Sequence, residues 1–351
     1  MAGGFLHAAE RRAIKAVIDS KINKAASQDP AEVLASLSEL ADRFGGSGRN
    51  ATAEMLKASL REKNSKWSRF IIRLLRNSDK DVLSAFLLNA GYEGAYSGSK
   101  TAKEIEDRFG IDIPRVLLIE PVGLSYQLLD RVIAQAEAIG IHIVMFMGKE
   151  PLSAKNDILG LCASHPESAF HAFTGGAQVD EGFCRELLRV KNFLVSVDPS
   201  AVKAMELLGN YGIPFGACVL YNGDNFEMMT SDAFFDYLIS RGCFFAWYLR
   251  DLPWNTPAEN GKPLTAEQRQ FVDGRLRQVR GAYNDKDILA IDILDLGELY
   301  TGKKSGGKGY CHVDGTGDVG LFGLSHRTGA NVKEKSLKDC ILMCYNSMEG
   351  I

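Results

Sequence analysis

The strongest constraint on how this chain folds is a change of texture near Ile113. Beyond it, short apolar, β-branched runs recur at 116–121, 141–147, 169–174, 193–198, 215–221, 244–249 and 288–294. Amphipathic stretches of helical length separate them, at 126–139, 181–190, 201–211 and 231–241. Strands that are apolar throughout can only be buried on both faces, and helical crossovers between them specify a parallel sheet covered by helices. Repetition of the unit points to an α/β fold, a complete or partial (β/α) barrel, whose chemistry would collect at the C-terminal ends of the strands. Val122-Gly123-Leu124 after the first run is too short for a Walker or Rossmann phosphate loop.

The chain before Ile113 reads as helices. Asp29-Pro30-Ala31-Glu32 supplies an N-cap acid, a proline at the first helical position and a following carboxylate. Val33, Leu34, Leu37, Leu40, Ala41 and Phe44 then repeat at helical spacing until Gly45-Gly46. Further helices are predicted over 52–62, 67–76 and 81–88, and Thr101 with Glu104 forms a capping box opening a short helix that ends near Gly110. Arg69, Arg73 and Arg76 oppose Phe70, Ile71, Leu74 and Leu75; without interleaved aromatics this reads as a solvated helix face, not a nucleic-acid surface. The expected organisation is a helical N-terminal domain (1–112), the barrel (113–300) and a C-terminal extension (301–351).

Charge and cysteine usage narrow the partners. With 41 Lys+Arg against 44 Asp+Glu, the net charge of −3 gives no electrostatic case for nucleic acid or an anionic membrane surface. No apolar run approaches the ~20 residues that span a bilayer, and the first residues lack a signal-peptide layout. The 7 cysteines are odd in number and scattered through periodic segments, which fits a reduced, cytoplasmic compartment.

If the runs are strands, a polar set lies at one mouth: Glu120; Lys149 and Glu150; Thr174; Ser196 and Asp198; Tyr221, Asn222 and Asp224; Arg250 and Asp251; Asp292 and Asp295. Acids beside bases in a concave site are the material of ligand anchoring and general acid–base work. Each alone reads equally as a cap or loop-fixing residue. Glu150 stands out, because proline at 151 holds it extended at a strand end. His142 reads as a satisfied core histidine inside a strand. Cys311-His312 with Asp314 and Asp318 has no second Cys/His pair at ligand spacing, so no metal is implied. The stretch 302–308 reads as a surface loop rather than an anion site.

Several runs, in order, resemble radical S-adenosylmethionine enzymes. VMFMGKEPL (144–152) resembles the second strand and "GGEP" motif, and FHAFTGGAQVD (170–180) the third-strand segment. GIPFG (212–216) with Asn225 resembles the fifth strand, and FAWYL (245–249) the sixth. GGKGYCHVDGTGDV (306–319) and NVKEKSL (331–337) resemble the C-terminal SPASM extension of a branch that also carries an N-terminal helical region. The family holds a [4Fe–4S] cluster on C-x3-C-x2-C after the first strand; here 120–127 reads EPVGLSYQ, without cysteine. Lys303 and Phe322 stand where the extension usually has cysteines, and the ribose-contacting loop after the fourth strand is shortened to Asp198-Pro199. The resemblance is therefore to a degenerate member, and it implies no iron–sulfur cluster and no radical chemistry.

What it implies instead is S-adenosylmethionine as ligand or substrate in polar chemistry. Gly148, Glu150 and Pro151 match the segment that holds the methionyl ammonium, with Lys149 replacing a glycine; Thr174 and Ser196 match positions near the amino-acid and ribose moieties. Lys149 or Arg250 would take the carboxylate left without an iron, and Glu120, Asp198, Tyr221 and Asp251 are the candidate bases. The expected activity is alkyl transfer to a small-molecule substrate, or intramolecular displacement releasing methylthioadenosine: a transferase or lyase. The alternatives are a catalytically inactive pseudoenzyme binding a peptide or protein partner, and a barrel taking an unrelated sugar or amino acid.

Overall fold

The structure, a computed structural model, describes residues 2–25, 65–250, 252–253, 255–295, 309–321 and 329–347. The helices expected from Asp29 onward and over 52–62, and Asp251, Lys303, Phe322 and the 302–308 loop, lie outside the described residues.

All seven expected runs form strands: β1 (Val116–Ile119), β2 (Ile143–Phe146), β3 (Ala169–Thr174), β4 (Phe193–Val197), β5 (Phe215–Leu220), β6 (Phe245–Leu249) and β7 (Leu289–Asp292). The C-terminal region adds β8 (Tyr310–Val313) and β9 (Val319–Gly320), so strands from both sides of residue 300 share one 9-stranded sheet, ordered β7-β6-β5-β4-β3-β2-β1-β8-β9. Every pairing is parallel except β8 with β9. Sequential parallel strands with helices between them make a partial (β/α) barrel, as expected.

Burial on both faces explains why these strands are apolar throughout. Leu117, Val144, Phe170, Val195, Ala217 and Tyr248 pack under the helices. Val116, Leu118, Met145, Phe173, Trp247 and Ile291 point the other way, into the hollow of the barrel. The crossover helices start where the sequence has a cap: Ser125 accepts from Leu128 N, Asp180 from Phe183 N and Ser231 from Phe234 N. Among the described residues, no helix is long and apolar enough to cross a membrane.

The N-terminal helices are fastened to the end of the barrel where the strands begin. Helix Ala2–Ala25 lays Ile14, Ile18 and Ile22 against Leu83, Leu88 and Tyr92. Helix Lys66–Asn77 corrects one reading: Arg69 and Arg73 are not a solvated face. Arg69 pairs with Asp287 at 2.9 Å; Arg73 donates to the carbonyls of Asp287 and Cys243, its guanidinium 4.3 Å from the Phe244 ring centre. Only Arg76 of the three is exposed. The Thr101 capping box is also corrected. A π-helical segment, Leu87–Ser97, runs directly into helix Gly98–Phe109, which places Thr101 inside a helix already begun. Gly98 and Gly140 touch there, each so close that a Cβ would strike the other's carbonyl oxygen. His142 lies just before β2, not within it, and its Nδ1 is buried without a hydrogen-bond partner among the described residues.

Lys66 is fully buried, its ammonium donating to the carbonyl of Val279. Burial, with Arg280 and Arg69 nearby, pulls it down to about 7 against the opposing charge of Asp287. Its unfolded value is higher, so between about pH 7 and pH 10 the unfolded chain binds a proton the folded chain does not, and this residue makes stability rise with pH. Lys66→Met should flatten that rise and stabilise the protein near pH 7 by a few kcal/mol, at about 1.4 kcal/mol per pH unit. Urea unfolding of both proteins across this range checks it.

Candidate functional site

Side chains on a strand alternate between faces, so one step past a strand end decides which strand-end residues meet. Glu120 continues the inward series Val116, Leu118 and lies over the hollow. β8 brings His312 beside it, in register with Leu118, with His312 Nε2 3.0 Å from Glu120 Oε1. Cys311 points to the opposite, helix-side core, so these neighbours share no site. Gly148, after β2, has φ +117°, a conformation side chains rarely adopt, and a Cβ there would lie 3.6 Å from Glu120 Cγ. Bare backbone therefore adjoins the Glu120 carboxylate.

Glu150 occupies the next stretch of rim. It caps the turn Pro151–Ala154 through Leu152 N (3.1 Å) and accepts from Thr174 Oγ1 (2.8 Å) and Gly175 N (3.0 Å). Those donors fill three of a carboxylate's about four acceptor positions and leave one on Oε2. Asp198, after β4, accepts from Ser200 N and Oγ at 2.8 and 2.5 Å. Burial, with the charges of Asp198 and Glu150, pushes the inward-facing Cys218 thiol up to about 12. Lys149 is exposed and reaches the segment beyond β6, its Nζ 3.4 Å from Glu259 Oε1.

Ser196 lies deeper. It is fully buried, its Oγ 3.1 Å from His171 Nε2. His171, absent from the sequence expectations, is enclosed by Phe173, Phe245 and Trp247, and burial drives its pKa down to about 3. The Phe245 ring lies where a Cβ on Gly216 would be. On this inner wall Trp247 Nε1 and Tyr310 OH are buried with no hydrogen-bond partner among the described residues.

Tyr221 and Arg250 go elsewhere. Their parity sends them to the helix side, where the Tyr221 ring packs edge-on against Tyr248, 5.7 Å between centres. Tyr221 OH donates to Asp292 Oδ2, and Arg250 Nε stands 3.4 Å from that oxygen. Burial raises both Tyr221 and Asp292, with Arg250 opposing it at each. Asn222 accepts from Asp224 N, and Asp224 pairs with Lys262 at 2.8 Å, tying this loop to the segment beyond β6. The structure thus gathers Glu120, Gly148, Glu150 and Asp198 at the rim, holds Glu150 from behind with the buried, helix-side Thr174, reaches over with Lys149, and puts Tyr221 and Arg250 in a separate buried knot. His312 was missed because nothing in a four-residue strand announces its partner.

No protein-family model and no curated protein matches the chain. Among solved structures it shares its fold with Streptococcus suis SuiB bound to the precursor peptide SuiA, at 14% identity and TM-score 0.52, over 73% of this chain and 71% of that one. The shared fold is a partial (β/α) barrel. SuiB bound to S-adenosylmethionine gives 13% identity and TM-score 0.49 over 69% of each chain. Native anSMEcpe with bound AdoMet and Cp18Cys peptide gives 17% and 0.47, over 66% of this chain and 81% of that one.

If the Tyr221–Asp292–Arg250 knot is structural, Tyr221→Phe should destabilise the protein by about 1–3 kcal/mol, the cost of removing one partner of a buried acceptor. Urea unfolding measures this loss, and ligand affinity at the rim should stay unchanged.

Proposed function

We propose that this protein binds S-adenosylmethionine across the C-terminal mouth of its partial barrel and uses the sulfonium as an electrophile in polar chemistry, without an iron–sulfur cluster. The observation that carries the reading is the rim itself, where Glu120 and Glu150 flank the bare backbone of Gly148. Carboxylates suit a sulfonium, and Glu150 keeps an acceptor position on Oε2 for an ammonium. Lys149 is the cation for a carboxylate, since its exposed pair with Glu259 is worth no more than about 1 kcal/mol and is readily exchanged. Glu120, backed by His312, takes the proton of an attacking atom while the carbon–sulfur bond breaks and its electron pair stays on sulfur. Where the ligand's own carboxylate attacks, no proton moves and methylthioadenosine leaves. The cysteines support a cluster-free route: none falls within 120–127, and all 7 are buried.

A second reading, a peptide-binding barrel without catalysis, is favoured by the aromatic inner wall and its unpartnered Trp247 and Tyr310.

Calorimetric titration of aerobically purified protein with S-adenosylmethionine tests the proposal. The expected result is micromolar binding or tighter, about −8 kcal/mol, weakened at least about tenfold by Glu150→Gln. Product analysis by mass spectrometry should then find S-adenosylhomocysteine or methylthioadenosine. Glu120→Gln and His312→Gln should keep binding while slowing any transfer that needs a base by about 100-fold or more. Absence of heat up to millimolar ligand overturns the reading in favour of the peptide-binding one. A stoichiometric cluster after reconstitution with iron and sulfide overturns the cluster-free route.

A further inference from the structure

At the opposite end of the barrel, three segments distant in sequence bring metal-ligating atoms together. His7 comes from helix Ala2–Ala25, Glu93 from the π-helical segment Leu87–Ser97, and Glu167 from the turn before β3. His7 Nε2 is 3.4 Å from Glu93 Oε2 and 3.9 Å from Glu167 Oε2, and the three residues offer one ligand atom each within 4.8 Å of one another.

The oxygens of each carboxylate divide their work. Arg11 holds the other two: it donates to Glu93 Oε1 at 2.6 Å and stands 3.5 Å from Glu167 Oε1. Arg11 is itself fixed by the Asn89 amide oxygen at 2.7 Å. Glu93 Oε2 faces His7 and, although Glu93 is fully buried, has no hydrogen-bond partner among the described residues. A buried carboxylate oxygen left so is costly unless something positive meets it. Carboxylates held by one oxygen and presented by the other are what an ion's ligands look like when their own partners orient them.

The geometry points to a divalent metal site of the zinc class, with His7 Nε2, Glu93 Oε2 and Glu167 Oε2 as ligands and Arg11 as the positioning residue. A tetrahedral ion with bonds of about 2.0–2.1 Å sets its ligands roughly 3.3–3.4 Å apart, which matches the His7–Glu93 separation. Glu167 is partly exposed and can close its wider gap. The mixed imidazole and carboxylate set suits zinc, cobalt or manganese, whereas a thiolate set would favour softer ions. His7 and Glu167 are both partly exposed, so water can take the fourth position. The ion would staple the first helix to the strand-start end of the barrel, independently of the rim chemistry.

The test titrates chelator-treated, full-length protein with Co2+ and Zn2+. The expected result is one ion per chain, a cobalt spectrum free of thiolate charge-transfer bands, and a higher thermal midpoint with Zn2+. His7→Ala and Glu167→Gln change partly exposed side chains and should keep the fold by circular dichroism while weakening binding at least about tenfold. Absence of stoichiometric binding, a thiolate band, or affinity unchanged in both variants overturns the assignment.

Discussion

Strict alternation of side chains along parallel strands is the constraint on which the rest of this molecule depends. Each strand from β1 to β7 is hydrogen-bonded in register to its neighbours, so no strand can rotate to present a different residue. The consequence is felt one residue beyond each strand. Glu120 follows an outward-facing Ile119 and must look into the hollow; Tyr221 and Arg250 follow inward-facing positions and must look away. A single slip of register would exchange the two sets, burying Glu120 among helices and turning Tyr221 to the rim. The same rule puts Cys311 and His312 on opposite faces, although they are adjacent in sequence.

Much of the barrel was legible because its driving force is local in sequence. A strand buried on both faces has to be apolar throughout, and all seven such runs form strands within a residue or two of their expected ends. The crossover helices were legible for a related reason: caps at Ser125, Asp180 and Ser231 lie directly before an amphipathic period. The roles of Arg69 and Arg73 were not, because an arginine on an amphipathic helix looks the same whether it meets water or carbonyls such as those of Cys243 and Asp287. The Thr101 box satisfied the local pattern, but the segment Leu87–Ser97 runs into the helix from before it, at the point where Gly98 meets Gly140, a contact no local rule contains.

The candidate site was legible only in part for the same reason. Residue type and strand-end position single out Glu120, Glu150, Thr174 and Asp198; the three acids come to the rim, and Thr174 supports Glu150 from the helix side. They are also enough to single out Tyr221 and Arg250, and here the inference needed parity as well as position. His312 and His171 needed still more. His312 depends on β8 pairing with β1, nearly two hundred residues away in the chain, while His171 looks like any strand residue until Ser196 is found beside it.

The rim and the hollow below it are electrostatically unlike, and the difference limits what can happen in each. Burial holds His171 neutral and Cys218 as a thiol, so these two groups of the wall carry no charge. Its unpartnered Trp247 and Tyr310 are neutral donors that favour an acceptor on an otherwise apolar molecule. Among the described residues, the rim carries the carboxylates of Glu120, Glu150 and Asp198, with Lys149 reaching over from the β2 loop. A ligand that is cationic at one end and apolar or aromatic at the other can satisfy both environments only in one orientation, its cation at the carboxylates and its apolar part below. Orientation of that kind is what placing an attacking atom in line with a breaking bond requires.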